Sequence, residues 1–220
     1  MNWKNKVFEN FKLVAVTDLK ASDETALEKI EAAYRGGVDI IQLRSKTICD
    51  NALLRLGQKI RRMADRTQKL FFVNDRPDLA VAADADGVHL GQEDLPIGAA
   101  RKLFARRGSP RWVGKSTHSA AQARAAEKEG ADYIGVGPIF ETPTKPGVQA
   151  VGLELIRVVR AAVGVPLVAI GGIDEKNIAR VLEAGAARIA VVRAIFGQKD
   201  IHAASHRLRE HLEKTSAPRA

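Results

Sequence analysis

Two aspartates stand where short apolar runs of this sequence give way to polar residues. Asp75 follows the run at residues 70–73, and Asp94 follows the run at residues 87–90, with a short helical segment at 78–83 between them. Consecutive parallel strands joined by a helix carry their carboxyl ends on one face of a sheet, so we expect both carboxylates to converge on one cation. Hard oxygen ligands of this kind suit Mg²⁺. Each aspartate alone could instead cap the helix that follows it.

Basic and amide side chains follow the apolar run at residues 39–43. Gln42, Arg44 and Lys46 alternate with Leu43 and Ser45, so the first three point to one side of an extended segment. Such a group of donors and cations predicts a site for a diphosphate. The alternative is that the two basic residues are solvated surface charges.

Two further loops predict phosphate contacts. The loop at residues 141–151 is long for a connection between a strand and a helix, and its Lys145 could reach a phosphate as a mobile charge. A surface insertion is the alternative there. Gly171 and Gly172 end another apolar run, and we expect a helix to open at Asp174. Adjacent glycines let backbone N–H groups approach an anion, although an ordinary tight turn has the same sequence.

The histidines do not form a recognisable catalytic constellation. His89 lies inside an apolar run, and we expect it to be packed or hydrogen-bonded in the core. His118 follows the run at 112–115, and its position is equally compatible with capping of the next helix and with a role in the substrate site. No Ser-His-Asp order, cysteine nucleophile or zinc-ligand spacing occurs in the sequence. The parts therefore suit displacement of a diphosphate, with Mg²⁺ and cations stabilising the pyrophosphate that leaves.

Eight strand-like runs alternate with helical segments along the chain. The runs cover residues 13–17, 39–43, 70–73, 87–90, 112–115, 133–137, 166–170 and 188–192. A short junction such as Gly130-Ala131-Asp132 recurs at four of the helix-to-strand transitions. The pattern predicts an α/β fold, a (β/α)8 TIM barrel with residues 1–220 as a single domain, and an open doubly wound sheet is the alternative. Residues 1–10 would form an extension and residues 215–220 a frayed tail.

Composition fits an enzyme that acts on small phosphorylated molecules. The 220 residues are 45% hydrophobic, and the one cysteine, Cys49, excludes an internal disulfide. The net charge is +9, but the basic residues are spread over helical segments and only 5% of residues are aromatic, so we expect no nucleic-acid partner. We find neither a signal peptide nor a membrane span, and we expect a cytoplasmic location. A homo-oligomer is compatible with the sequence, which does not define the oligomeric state.

Five segments, taken in their order, resemble the thiamine phosphate synthase family. They are Gln42-Leu43-Arg44-Ser45-Lys46, Val73-Asn74-Asp75, Gly87-Val88-His89-Leu90-Gly91-Gln92-Glu93-Asp94, Gly135-Val136-Gly137-Pro138-Ile139-Phe140 followed by Thr142-Pro143-Thr144-Lys145, and Ile170-Gly171-Gly172-Ile173. The resemblance implies a (β/α)8 transferase that joins 4-amino-2-methyl-5-hydroxymethylpyrimidine diphosphate to 4-methyl-5-(2-phosphoethyl)thiazole, or to its carboxylated form. Pyrophosphate would leave first, and the thiazole nitrogen would then capture the pyrimidine-stabilised cation.

The resemblance also implies a role for each matching position. Asp75 and Asp94 would bind Mg²⁺, the implied cofactor. The pyrimidine diphosphate would be held by Gln42, Leu43, Arg44, Ser45, Lys46, Asn74, Ser116 and Lys145. The catalytic residues among these would be Arg44, Lys46, Ser116 and Lys145. The thiazole phosphate would face Thr142, Pro143, Thr144, Gly172, Val192 and Arg193.

Two positions depart from the family pattern. Arg193 stands where many members have serine, and Ser45 stands where an acidic residue is common. We expect Arg193 to contact the phosphate, with a structural strut as the alternative. Two other functions stay open: a thiazole tautomerase-like paralogue, not expected to keep the diphosphate and Mg²⁺ residues, and a non-catalytic binder of phosphorylated ligands.

Overall fold

Eight parallel strands close into a barrel in chain order in the computed structural model, which describes residues 2–20, 24–105, 111–143 and 147–214. The strands are β1 Leu13–Val16, β2 Ile40–Leu43, β3 Leu70–Asn74, β4 Gly87–Leu90, β5 Trp112–Thr117, β6 Tyr133–Val136, β7 Leu167–Ile170 and β8 Ile189–Val191. The predicted (β/α)8 barrel is confirmed, and the open sheet is wrong. Every predicted run contains a strand, with bounds that differ by at most two residues.

The helices are α1 Trp3–Asn10, α2 Glu24–Arg35, α3 Asp50–Thr67, α4 Pro77–Ala82, α5 Ile97–Ala105, α6 Ala120–Lys128, α7 Glu154–Ala162, α8 Ile178–Glu183, α9 Arg193–Phe196 and α10 Ile201–Lys214. Helices α2 to α8 connect successive strands, α1 precedes β1, and α9 and α10 follow β8. Ser119 caps α6 as its sequence suggests, because its hydroxyl accepts a hydrogen bond from the N–H of Gln122 at 3.2 Å. In the described part of the chain, no helix is long and apolar enough to cross a membrane.

The strands bury both of their faces, which explains why they are mostly apolar and do not alternate regularly with polar residues. Outward-facing residues such as Ile41 and Phe71 join the large cluster between barrel and helices. Inward-facing residues such as Ile40 and Phe72 form a second, smaller cluster inside the barrel. The barrel is therefore a filled core, and polar chemistry is left to the ends of its strands.

Helix α1 covers the amino end of the barrel. Its Phe8 stacks on Trp112 of β5 with ring centroids 4.4 Å apart, and Phe11 lies beside it as a fully buried ring. Nζ of Lys4 lies 2.8 Å from a carboxylate oxygen of Asp86 at the start of β4. Helix α1 and Phe11 thus close one end of the barrel with aromatic side chains and an ion pair.

Aspartates at three helix-to-strand junctions tie neighbouring strands together at the same end. Each accepts a hydrogen bond from a backbone N–H near the start of the preceding strand: Asp39 from β1 at 3.2 Å, Asp86 from β3 at 2.9 Å and Asp132 from β5 at 2.6 Å. Arg188 occupies the fourth junction and donates to the carbonyl of Glu9 at 3.1 Å. The recurring junction therefore carries a side-chain contact in addition to a tight turn.

Candidate active site

Asp75 and Asp94 lie at the carboxyl ends of the adjacent strands β3 and β4. Asp75 has a φ of +64°, a left-handed conformation that aspartate adopts more readily than most residues, and its N–H donates to the carbonyl of His89 at 2.8 Å. Oδ2 of Asp94 accepts a hydrogen bond from the N–H of Gly91 at 2.6 Å. Asp75 does not cap α4, since the N-cap position belongs to Arg76.

The two carboxylates suit a magnesium ion that a diphosphate helps to bind. Mg²⁺ commonly takes one or two protein carboxylates, with substrate phosphates and water completing its shell. The bond from Gly91 uses one oxygen of Asp94 and leaves Oδ1 for other contacts. Among the residues described here, no group of three or more His, Cys, Asp or Glu side chains is placed to hold a metal. Two carboxylates are a number of protein ligands that Mg²⁺ commonly takes when substrate phosphates complete its shell.

Four of the residues expected to hold the diphosphate, Gln42, Arg44, Lys46 and Asn74, lie at or just after the ends of β2 and β3. Nε2 of Gln42, a buried side chain, donates to Oδ1 of Asn74 at 2.5 Å. Nη1 of Arg44 lies 3.0 Å from Oδ1 of Asp18, in the segment after β1, and Lys46 is exposed. The neighbouring carboxylate orients the guanidinium of Arg44, so it is held at the barrel mouth.

Leu43 and Ser45 use their side chains within the fold. Leu43 is 1% exposed and belongs to the cluster between barrel and helices. Oγ of Ser45 donates to the carbonyl of Leu19 at 2.8 Å and accepts the N–H of Ile48 at 3.0 Å. Both residues hold the segment that carries Arg44 in place. Ser45 does this with its hydroxyl group, so the acidic residue that is common at this position in the family is not required.

A cavity of about 380 Å³ opens at the carboxyl ends of β5 to β8. It brings together Ser116 and the residues predicted for the thiazole phosphate. Its lining includes Ser116, Thr142, Pro143, Gly172, Val192 and Arg193. Thr144 and Lys145, which the sequence also assigns to the two substrates, lie outside the described residues.

The two glycines after β7 allow the chain to pass very close to the β6–α7 loop. Gly171 and Gly172 have φ values of +100° and +65°, and a Cβ atom at Gly172 would lie 2.6 Å from the carbonyl oxygen of Glu141. Only glycine fits such positions without strain. Asp174 is a capping residue, as expected: its Oδ1 accepts a hydrogen bond from the N–H of Lys176 at 2.9 Å, and its N–H donates to Oδ1 of Asn177 at 3.0 Å. Residues 175–177 form a turn, however, and α8 itself begins only at Ile178.

Arg193 is the exposed first residue of α9 and borders the cavity beside Gly172. In the described ranges no carboxylate lies within ion-pair distance of its guanidinium. Its far side borders a second cavity of about 370 Å³, which Lys20 and Lys29 also line. Asp18 also lines the second cavity, and Glu141 and Asp174 line the first, so the surroundings of Arg193 are open and carry both signs of charge.

Two histidines lie beside Ser116. His118 lines the cavity, and its Nδ1 hydrogen-bonds to the carbonyl of Gly137. His89 is buried, as expected, and its Nε2 lies 2.8 Å from Oγ of Ser116. Sequence reasoning missed this second contact because the residues are 27 positions apart. The inward register of two paired strands is the signal that could have revealed it.

The turn after β4 is also attached to β5 by contacts that we did not predict. Nζ of Lys115 donates to the carbonyl of Gly91 at 2.7 Å, and Nε2 of Gln92 donates to the carbonyl of Ser116 at 2.5 Å. These bonds hold the turn that carries Asp94. They connect the expected metal ligand to the strand of Ser116.

Comparison with known proteins identifies relatives of the whole barrel. The family model for thiamine monophosphate synthase matches residues 13–195. The thiamine-phosphate synthase of Thermosynechococcus vestitus is 45% identical over 203 residues, which cover 92% of this chain and 56% of that protein. That of Thermus thermophilus is 49% identical over 190 residues, 86% of this chain and 90% of that protein.

Lengths and solved structures complete the comparison. The chain spans about half the length of the curated cyanobacterial relatives that it matches, between 48% and 56% for three of them. A thiamine phosphate pyrophosphorylase from Pyrococcus furiosus superimposes with a TM-score of 0.86 at 37% identity, and the match covers 98% of this chain and 100% of that one.

Proposed function

Because the chain belongs to the thiamine monophosphate synthase family, we propose that it is a transferase of thiamine biosynthesis. Its substrates are the hydroxymethylpyrimidine diphosphate and the thiazole phosphate named above. In the reaction the bond between the pyrimidine methylene carbon and the diphosphate oxygen breaks. A bond from that carbon to the thiazole nitrogen forms, giving thiamine phosphate and pyrophosphate.

The observation that supports the proposal is that the predicted site residues fall into two groups at the barrel mouth. Gln42, Arg44, Asn74 and the two aspartates gather at β2 to β4, while Gly172 and Arg193 lie at the cavity of β5 to β8. Two phosphorylated substrates need two anion sites that meet at the reacting atoms.

The proposed roles follow from the chemistry of each side chain. Arg44 and Lys46 would neutralise the diphosphate, and Ser116 would donate a hydrogen bond to it. Lys145, placed by the family pattern, would add a third charge. Val192 and the loop residues Thr142, Pro143 and Thr144 would position the thiazole phosphate. A dissociative displacement needs no protein nucleophile, so these residues act by stabilising charge and excluding water.

Asp75 and Asp94 are the residues that would hold Mg²⁺. When bound, the ion would lower the charge on the leaving pyrophosphate. Asp94 is prepared for that task by its bond from Gly91, and Asp75 by the bond that its N–H makes to β4. Two alternatives fit less well: a tautomerase-like paralogue would have no use for these carboxylates, and a simple binder would not need two anion sites.

A pyrophosphate-release assay with both substrates tests the proposal. Pyrophosphate and thiamine phosphate should appear in equal amounts when both substrates are present, and neither should appear with one substrate alone. Arg35→Ala, which changes an exposed ion pair at the end of α2, is a suitable control and should keep full activity. Binding without release of pyrophosphate would favour the non-catalytic alternative. The cytoplasmic location and the homo-oligomer stay predictions.

A further inference from the structure

Three side chains form a hydrogen-bonded chain across the inside of the barrel. Oη of Tyr133 in β6 lies 2.9 Å from Nδ1 of His89 in β4, and Nε2 of His89 lies 2.8 Å from Oγ of Ser116 in β5. Tyr133 is 3% exposed and His89 is 8% exposed, whereas Ser116 lines the cavity. The chain therefore runs from the closed interior to the proposed substrate site.

Two glycines leave room for the rings of Tyr133 and His89. A Cβ atom at Gly114 would overlap the ring of Tyr133, and one at Gly135 would lie 3.0 Å from Cε1 of His89. Both glycines have negative φ, so the turn conformations that favour glycine do not explain them. Their lack of a side chain is what allows the two rings to occupy the barrel axis.

The direction of the hydrogen bonds follows from the proton on Tyr133. Burial raises the pKa of this phenol far above its ordinary value, and the nearby carboxylate of Asp132 raises it further, so the hydroxyl stays protonated. In the part of the chain that the structure describes, Nδ1 of His89 is the acceptor within reach of that proton. A buried O–H without an acceptor would cost about 1–3 kcal/mol.

A donating tyrosine fixes the tautomer of a neutral His89. Nδ1 accepts from Tyr133, so the ring proton is on Nε2, which donates to Oγ of Ser116. The serine hydroxyl proton then points away from the histidine. In the opposite direction, Ser116 would donate to His89 and would present lone pairs to the cavity, which would repel an anion.

We propose that His89, held by Tyr133, is a positioning residue that makes Ser116 a hydrogen-bond donor toward the pyrophosphate group, not a nucleophile. The inference rests on the proposed function for the identity of the anion. His89 and Tyr133 do not contact the substrate themselves. Both act through the hydroxyl group of Ser116.

Two measurements on the intact protein test this inference. ¹⁵N NMR of the histidines, with His89 assigned by its loss in His89→Gln, should show the proton on Nε2 in the wild type. Titration calorimetry with magnesium pyrophosphate should show about fivefold weaker binding for Tyr133→Phe and for Ser116→Ala. The double variant should bind no more weakly than Ser116→Ala alone, because Tyr133 acts through Ser116.

Tyr34→Phe is the matched control for loss of a buried hydroxyl. Its Oη donates to the carbonyl of Leu70 at 2.9 Å on the other side of the barrel wall, so its loss should lower stability without changing pyrophosphate affinity. A proton on Nδ1, or additive losses in the double variant, would overturn the inference. Neither readout requires turnover, so failure of the proposed function would appear separately, as a wild type that forms no thiamine phosphate.

Discussion

Oδ2 of Asp94 accepts a hydrogen bond of 2.6 Å from the N–H of Gly91, and this bond fixes the direction of the carboxylate at the end of β4. Gly91 is held in turn by Lys115, whose Nζ lies 2.7 Å from its carbonyl oxygen. A carboxylate held in this way loses little conformational freedom when it binds a cation. The turn after β4 is thus prepared for a ligand before any ligand arrives.

The first prediction concerns the metal. Activity should vanish in excess chelator and return with Mg²⁺ or Mn²⁺, because pyrophosphate is a poor leaving group without charge neutralisation. Asp94→Asn keeps the acceptor for Gly91 but removes the charge, and kcat/KM should fall about 100-fold, equivalent to ~3 kcal/mol. Full turnover in the presence of chelator would contradict the assignment of Asp75 and Asp94.

The second prediction concerns Arg193. Replacing it with serine should raise the KM for thiazole phosphate about tenfold, because one charge-assisted contact is worth roughly 1.5–3 kcal/mol. The KM for the pyrimidine diphosphate should stay the same. Arg157→Ser, which changes an exposed ion pair on α7, serves as the control. If both constants are unchanged while the Tm falls, Arg193 is a strut.

The third prediction compares two glycines in a denaturation experiment. Gly114→Ala should lower the free energy of unfolding by about 1–3 kcal/mol, because its methyl group overlaps the ring of Tyr133. Gly98→Ala in α5 meets nothing within 4 Å and should be neutral or stabilising by up to ~1 kcal/mol. Equal effects in urea titrations would show that the barrel interior can repack around a larger residue.

The fourth prediction concerns acid. Hydrogen bonds from Arg76 hold the pKa of Asp78 below its ordinary value, so this carboxylate stabilises the fold at neutral pH. The contribution is present above the unfolded-state pKa and is lost as the pH falls through the lower folded-state pKa. Asp78→Asn should therefore be less stable than wild type at pH 7, and the difference should disappear near pH 2.

Much of the barrel could be predicted because its strands are short, apolar and separated by amphipathic helices. Asp75 and Asp94 could be located because strand order alone places neighbouring carboxyl ends together. The exact start of α8 could not, since Asp174 caps a turn at residues 175–177 and the helix itself begins only at Ile178. A capping aspartate looks the same in the sequence whether a turn or a helix directly follows it.

The contacts that escaped prediction join residues far apart in the sequence. Asp132 binds the backbone of β5, 19 positions away, and His89 reaches Tyr133 over 44 positions. Both depend on the register between strands, which neither composition nor periodicity specifies. The sequence does contain a signal for the junction aspartates, because Asp39, Asp86 and Asp132 recur at equivalent positions of the repeated unit.

Helix α1, which precedes β1, determines the end of the barrel through which ligands enter and leave. Within the described ranges, Phe8, Phe11 and Trp112 fill the end of the barrel opposite the cavity. A molecule bound at Ser116 must exchange with solvent through the mouth by which it entered. In the proposed reaction, substrates and products would therefore share one entrance, and a bound product would block the next substrate until it leaves.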